Sequence, residues 1–301
     1  MRSIVSTPRW NQAASKLTVL VVWLVLLGAW EGAYRWCQWK PWVFPAPSHV
    51  VDATLGMLNV RTYFGDEVHS GWPWKPDPNG AMSEPAAGTS AGVLASPLLT
   101  AIPVSGVRLI VGFIIAFILG TMLGVLMWRL AFIDAVLGPV FLGLQTLPSV
   151  CWVPMGILLF GINERSILFV LVMGSFFAVA ISMRDGLRTV PPIYISAGVM
   201  LGARKARLYR HVLLPSSLPA LAGTLRQGFS FAWRSLMGAE LILIVQRRGL
   251  GFLLNMGRET ADIAQVVAVM VIMVGVGMVI DRWVFAVIER RVRTRFGLVA
   301  A

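Results

Sequence analysis

Charge is what this chain has least of. Only 13% of its 301 residues are charged, about half the usual share of roughly 25%. It has three histidines, and its two cysteines are Cys37 and Cys151. No C-x-x-C, no H-E-x-x-H and no histidine pair at ligand spacing occurs, so no metal ligand set is expected. No G-x-x-x-x-G-K-[ST] loop is present, so the chain is expected to bind no nucleotide or other cofactor itself. Two cysteines cannot build a disulfide framework, and both are expected to be isolated packing thiols. What fills the space left by charge is apolar: 57% of the residues, with a mean hydropathy of +0.74. These values exclude a disordered chain, a small disulfide scaffold and an ordinary cytosolic enzyme.

The apolar residues come in runs long enough to cross a bilayer, for which about 20 residues are needed. Six spans are expected: 17–34, 109–127, 135–162, 166–183, 218–245 and 263–280. The third is interrupted by Pro139, Pro148 and Pro154, and the fifth carries Arg226, Arg234 and Glu240. The expected fold is therefore an all-α integral membrane protein. The N-terminal run, about 18 residues after a basic start, is long for a signal h-region and lacks a convincing small-x-small site, so it reads as a retained first span.

Lysine and arginine set the orientation. With the N-terminus inside, the inward pieces carry fourteen basic residues and the outward pieces eight, half of the eight in one long loop. Both termini are expected in the cytoplasm. The net charge of +12 is not a nucleic-acid signal. Its basic residues cluster at span ends, where anionic lipid and the orientation rule account for them.

The long loop, 36–100, is expected outside. It begins with a short helix over 48–58, with Ser48 suited to the N-cap. Val51, Leu55 and Leu58 share a face that could lie on the membrane surface. Gly71 to Gly92 is loop chemistry. Gly88-Thr-Ser-Ala-Gly92 matches the G-x-S-x-G of serine hydrolases, but that pattern needs a strand before it. Ser83-Glu-Pro-Ala-Ala87 is no strand, and His211 is expected across the membrane, so no catalytic residue is expected.

The inward segment 184–218 holds the most information. Pro191-Pro192 suits a helix start. Ile195, Val199 and Met200 form one apolar face, Gly202 interrupts the helix, and a second short helix is expected over 203–212, ending before Pro215. Its basic residues are Arg204, Lys205, Arg207 and Arg210. Gly202 is followed by nine residues and then Val212-Leu-Leu-Pro215. This spacing resembles the cytoplasmic "EAA" signature of binding-protein-dependent ABC transporter permeases. The E-A-A position falls on Ser196-Ala197-Gly198, where only the alanine matches. Leu214-Pro-Ser-Ser-Leu-Pro219, Gly238-Ala-Glu-Leu241 and Gly249-Leu-Gly-Phe-Leu253 continue the likeness. Upstream, so do Arg108-Leu-Ile-Val-Gly-Phe113 and Leu147-Pro-Ser-Val-Cys-Trp-Val-Pro154. The resemblance is to the nitrate/sulfonate/taurine branch and covers roughly residues 100 to 290.

That resemblance implies a type I importer permease fold of about six spans in a bacterial inner membrane. It divides the chain into an N-terminal segment with the first span (1–35), the outer loop (36–100), a permease core (101–290) containing the EAA-like loop 191–215, and a cytoplasmic tail (291–301). It also implies a homodimer, two ABC ATPase subunits that hold ATP and Mg2+, and an external solute-binding protein. The EAA loop would be a coupling helix seated in a groove of the ATPase. Ala197, Gly198 and Ala203 allow close approach, Gly202 supplies a bend, and Pro215 and Pro219 stiffen the junction to the next span. Ser196, Gly202, Ala203, Arg207 and Pro215 complete the expected coupling set. Ser196 in place of the family glutamate removes one charge from the contact.

Charges inside a span mark functional sites by default. On a wheel of about 100° per residue, Glu240, Arg226, Ser230, Arg234 and Gln227 fall in one arc of the fifth span, while Thr224 and Ser235 fall opposite. Arg226 could snorkel inward and Glu240 could pair with Arg108. Arg234, with Ser230 and Gln227, could instead line a translocation path, where the arginine fork suits sulfonate, nitrate or carboxylate. A cargo without charge, such as a pyrimidine vitamin precursor, is the alternative within the branch. A secondary transporter would show an inverted repeat and ion-coupling residues, and a scaffold would not need the G-x9-V-x-L-P spacing. Gly120 and Gly124 form a small-xxx-small pair, expected to pack within the chain.

Overall fold

The computed structural model describes residues 9–37, 45–58, 75–76, 82–83, 96–203, 207, 212, 214–245 and 248–295. Contacts divide the chain into two units, Met1–Val93 with Met256–Val269, and Leu94–Asn255 with Met270–Ala301.

In the first unit, α1 (Arg9–Cys37) is followed by α2 (Pro47–Leu58). Ser48 is not the N-cap of α2. The helix starts one residue earlier, on Pro47, whose missing N–H is no loss at that position. Ser48 instead donates from its backbone N and its hydroxyl to the Glu31 carboxylate of α1. The Tyr34 and His49 rings meet edge to face at 5.5 Å. Val51, Leu55 and Leu58 are exposed along α2. A two-residue antiparallel pair joins β1 (Lys75–Pro76) to β2 (Met82–Ser83). The G-x-S-x-G stretch lies outside the described residues.

The second unit contains α3 (Pro97–Arg129), α4 (Ala131–Thr146), a 3-10 turn (Ser149–Trp152), α5 (Val153–Phe160), α6 (Glu164–Arg188), α7 (Pro192–Met200) and α8 (Leu214–Ile242). The division falls within α9 (Leu250–Glu259) and α10 (Ile263–Ile280), after which a π-turn (Asp281–Phe285) of the second unit leads into α11 (Ala286–Arg295). Each of the six expected spans falls on one of these helices or on the α4–α5 pair. Three described segments are long and apolar enough to cross a membrane: Pro97–Arg129, Glu164–Arg188 and Ile263–Val292. The α4–α5 pair would be a fourth, but it is bent by 103°. The third expected span is thus not one straight helix. Pro148 drives Leu147 into extended backbone (φ −67°, ψ 128°), as the residue before proline requires. α8 is 29 residues long, roughly 43 Å at 1.5 Å per residue, and so has ample length. Arg226, Arg234 and Glu240 lower its hydropathy.

α6 is the central helix, packed against α3, α4, α5 and α8. Glycines let its neighbours approach. A Cβ on Gly124 of α3 would lie 2.5 Å from the Ala180 carbonyl oxygen, and one on Gly120 would lie 2.8 Å from Val179. The Gly120–Gly124 pair therefore packs within the chain. Gly228 of α8 abuts Val179 in the same way, at 2.6 Å. Leu171, Val170 and Ile167 of α6 are buried against Leu109 of α3 and Phe229, Ala232 and Leu236 of α8. The Phe285 ring stacks on Phe229 at 4.5 Å, which fixes the π-turn to α8.

Candidate functional site

α7 starts four residues after α6 ends. Pro191 is extended (φ −60°, ψ 131°) and Pro192 takes the first turn, where its fixed φ is already helical. The helix Pro-Ile-Tyr-Ile-Ser-Ala-Gly-Val-Met carries no charge. Gly198 is buried, while Ser196 and Ala197 are exposed. Tyr194 and Val199 stand half in solvent, and Met200 and Leu201 are 87% and 88% exposed. The helix stops at Gly202, whose φ of +81° is open to glycine at little steric loss. The Gly202 N–H donates to the Val199 carbonyl at 3.0 Å, and the Ala203 N–H to the Gly198 carbonyl at 2.9 Å. That pair of bonds is a Schellman turn. The expected helix over 203–212 lies largely outside the described residues. Arg207 is described and exposed. Pro215 is the second residue of α8, and Pro219 lies inside it.

A buried ionic cluster joins α3, α6, α8 and the start of α9. Arg108 and Glu240 are 5% and 2% exposed. Arg108 Nη1 donates to Glu240 Oε1 at 2.7 Å. Its other two nitrogens grip Glu164, from Nε at 2.7 Å and Nη2 at 2.6 Å. The Ser105 hydroxyl donates to Glu240 Oε2 at 2.7 Å and accepts from the Leu250 N–H at 2.9 Å. The Gly251 N–H adds a bond to Glu240 Oε2 at 3.1 Å. Gly249 leaves the carboxylate the room a Cβ would take, and Gly251 does the same for the Glu240 Cβ and the α8 backbone beside it. Asn163 caps α6 by accepting from the Arg165 N–H at 2.8 Å, which sets Glu164 at the helix start, where a carboxylate is favoured.

Arg226 does not join that cluster. It grips Asp281 of the π-turn through two bonds of 2.8 Å and reaches Glu289 of α11 at 3.0 Å. Arg108 with Glu240 and Arg226 with Asp281 and Glu289 thus form two separate sites. Gln227, Ser230 and Arg234 are all exposed. Arg234 Nε donates to the Ser230 carbonyl at 3.1 Å, and its guanidinium lies 4.6 Å from the Phe231 ring centre. The polar arc of α8 therefore splits. Its Glu240 edge is buried on α3, and its Gln227–Arg234 edge has no covering helix among the described residues. Thr224 and Ser235, on the far side of the wheel, are buried. Ser235 lies where a Cβ on Gly174 of α6 would fall.

Residues 94–294, two thirds of the chain, match the family described as "Binding-protein-dependent transport system inner membrane component". The chain belongs to this family. A Methanocaldococcus jannaschii protein assigned by name to the ABC transporter permeases is 31% identical over 175 residues, 58% of this chain and 65% of that protein. The taurine transport system permease protein of Escherichia coli is 32% identical over 127 residues, 42% of this chain and 46% of its own length. The nitrate import permease protein of Synechocystis is 26% identical over 177 residues, 59% and 64% of the two lengths. The chain thus spans less than two thirds of the length of each of these relatives.

Several residues that the structure brings together were not picked out from the sequence. Glu164 and Ser105 complete the Arg108 cluster, and Asp281 and Glu289 hold Arg226. Asp134 of α4 accepts from Arg184 and Arg188 at the end of α6. A signal for Asp134 did exist, since it is the only acidic residue between Glu84 and Glu164.

Proposed function

We propose that this chain is the transmembrane subunit of an ATP-driven importer of a small anion. It works as a homodimer with two ABC ATPase subunits, which hold ATP and Mg2+, and an external solute-binding protein. Both termini lie in the cytoplasm of a bacterial inner membrane. The observation that carries the reading is the α7–Gly202 turn. It presents an uncharged helix with Met200 and Leu201 almost fully exposed, in a chain of the binding-protein-dependent family. Large apolar side chains left outside at a helix end mark a partner's seat. With Ser196 where the family has glutamate, that seat is held by apolar contact.

The anion follows from Arg234. An arginine on an uncovered face of a spanning helix is too expensive to leave in lipid, so it faces a second copy or a wet path. Its free guanidinium edge suits a planar or tetrahedral anion. The named taurine and nitrate permeases among the relatives agree with such a cargo.

The test is purification of the tagged chain from its own host membrane, followed by mass spectrometry and ATPase assay. An ABC-type ATPase should co-purify with wild type and hydrolyse ATP. Met200→Asp with Leu201→Asp should shed it while the permease stays monodisperse. Wild-type permease arriving without any ATPase would sink the reading.

A further inference from the structure

Just before α7, the end of α6 is bridged to another helix. Arg184 Nη1 donates to Asp134 Oδ1 at 3.1 Å, and Arg188 Nη2 donates to Asp134 Oδ2. Arg184 Nε also donates to Asp185 at 2.8 Å. The Arg184 and Asp134 side chains are 14% and 16% exposed, so this link is largely shielded from water. One turn further along α4, Gly138 keeps the space open: a Cβ there would lie 2.9 Å from Arg184 Nη1. Asp134, Gly138 and Phe141 form one stripe of α4 at helical spacing, and the whole stripe lies along α6. Phe141 meets the Phe177 ring at 5.1 Å and the Phe176 ring at 5.5 Å. Beyond the break at Pro148, Trp152 stacks on Phe177 at 5.9 Å.

On the other flank of α7, the start of α8 packs on the end of α6, where a Cβ on Gly186 would lie 2.6 Å from the Ala220 Cβ. α8 carries its charged link at Arg226, twelve residues after Leu214, or roughly 18 Å along the helix. On the α6 side, Arg188 stands four residues before Pro192. A displacement of α7 therefore reaches the end of α6 directly, and the Asp134 bridge joins that end to α4, the nearer half of the bent pair.

We propose that Asp134 is a positioning residue that passes the movement of α7 into the bent pair α4–α5, tying its swing to ATP hydrolysis. This rests on the importer reading above. Asp134 holds one guanidinium from each of the last two turns of α6. Without its charge, α6 can move while α4 lags.

The bent pair carries its own reporter, Cys151, which is exposed just past the break. With Cys37→Ser in the background, a nitroxide on Cys151 reports motion there alone of the chain's own thiols. The permease–ATPase complex is purified in nanodiscs, and the electron paramagnetic resonance spectrum is recorded without nucleotide and after trapping with ATP and vanadate. ATP hydrolysis is measured on the same samples. The parent should show a nucleotide-dependent spectral change. Asp134→Asn should lose more than half of that change while still hydrolysing ATP, and Asp134→Glu should restore it. The proposal is overturned if Asp134→Asn keeps the full change. It is also overturned if the parent shows no change, or if both variants lose assembly and hydrolysis alike, which is a structural role only. A parent complex that binds no ATPase sinks the importer reading itself, an outcome distinct from all of these.

Discussion

Arg108 and Glu240 meet through a 2.7 Å bond, Nη1 to Oε1, between two side chains that are almost wholly buried. The same guanidinium holds Glu164 with its remaining edge. One arginine thus serves two carboxylates, and the two substitutions that break the pair are unequal. Arg108→Gln strands Glu240 in the interior, a loss of about 3–5 kcal/mol. Glu240→Gln leaves Arg108 paired to Glu164 and should lose less. Thermal unfolding in detergent should rank wild type above Glu240→Gln, and Glu240→Gln above Arg108→Gln. The reverse order would mean that the Ser105 hydroxyl and the Gly251 N–H, not Arg108, hold Glu240 in the interior.

Helix approach through glycine makes a second contrast. Gly124 stands against backbone, with the Ala180 carbonyl oxygen at 2.5 Å from an added Cβ. Backbone on a packed helix cannot yield, so Gly124→Ala should destabilise by about 1–3 kcal/mol. Gly106 on the same helix meets nothing within 4 Å. There alanine should be neutral or stabilise by up to about 1 kcal/mol. Melting temperatures of the two variants in one detergent decide it.

Gly202 is left-handed, at φ +81°. Alanine there should lose about 1–2 kcal/mol of the turn, and asparagine should lose less. The expected readout is retention of the ATPase subunit on the purified permease, highest for glycine, then asparagine, then alanine. Equal retention in all three would show that the turn does not shape the contact.

Arg234 makes its bond to its own helix backbone, so removing it should not disturb packing. Arg234→Gln should leave melting and ATPase retention unchanged. Uptake of an anionic cargo should fall about tenfold, the equivalent of one charge-assisted hydrogen bond of roughly 1.5 kcal/mol. Arg234→Lys should lie between. A variant that transports normally would remove Arg234 from the path.

Much of this was legible in the sequence because it is local. Hydropathy runs locate the helices, Pro191-Pro192 and Gly202 delimit α7, and glycines four apart, Gly120 and Gly124, mark where α3 meets α6. The interruption of the third span is legible in Pro148, but the 103° bend it makes is not. Hydropathy sums over a bend and does not register it. The polar arc of α8 was also read as one surface. A helical wheel gives angles on one helix but not which neighbour stands at each angle. Only the packing of α3 shows that Glu240 is interior while Arg234, about 120° away on the wheel, is not. Asp134, Asp281 and Glu289 were missed for the same reason. Their partners lie 50 to 63 residues away, and sequence spacing says nothing at that range.

The most direct test of the central claim is ATP hydrolysis by the assembled complex in lipid nanodiscs, with and without its solute-binding protein and a panel of small anions. Wild type is compared with Gly202→Pro, because proline cannot adopt the positive φ of that turn. The account predicts that one loaded binding protein stimulates wild-type hydrolysis, and that Gly202→Pro abolishes the stimulation while the permease still assembles in the membrane. Stimulation that survives Gly202→Pro, or hydrolysis indifferent to every loaded binding protein, would contradict it.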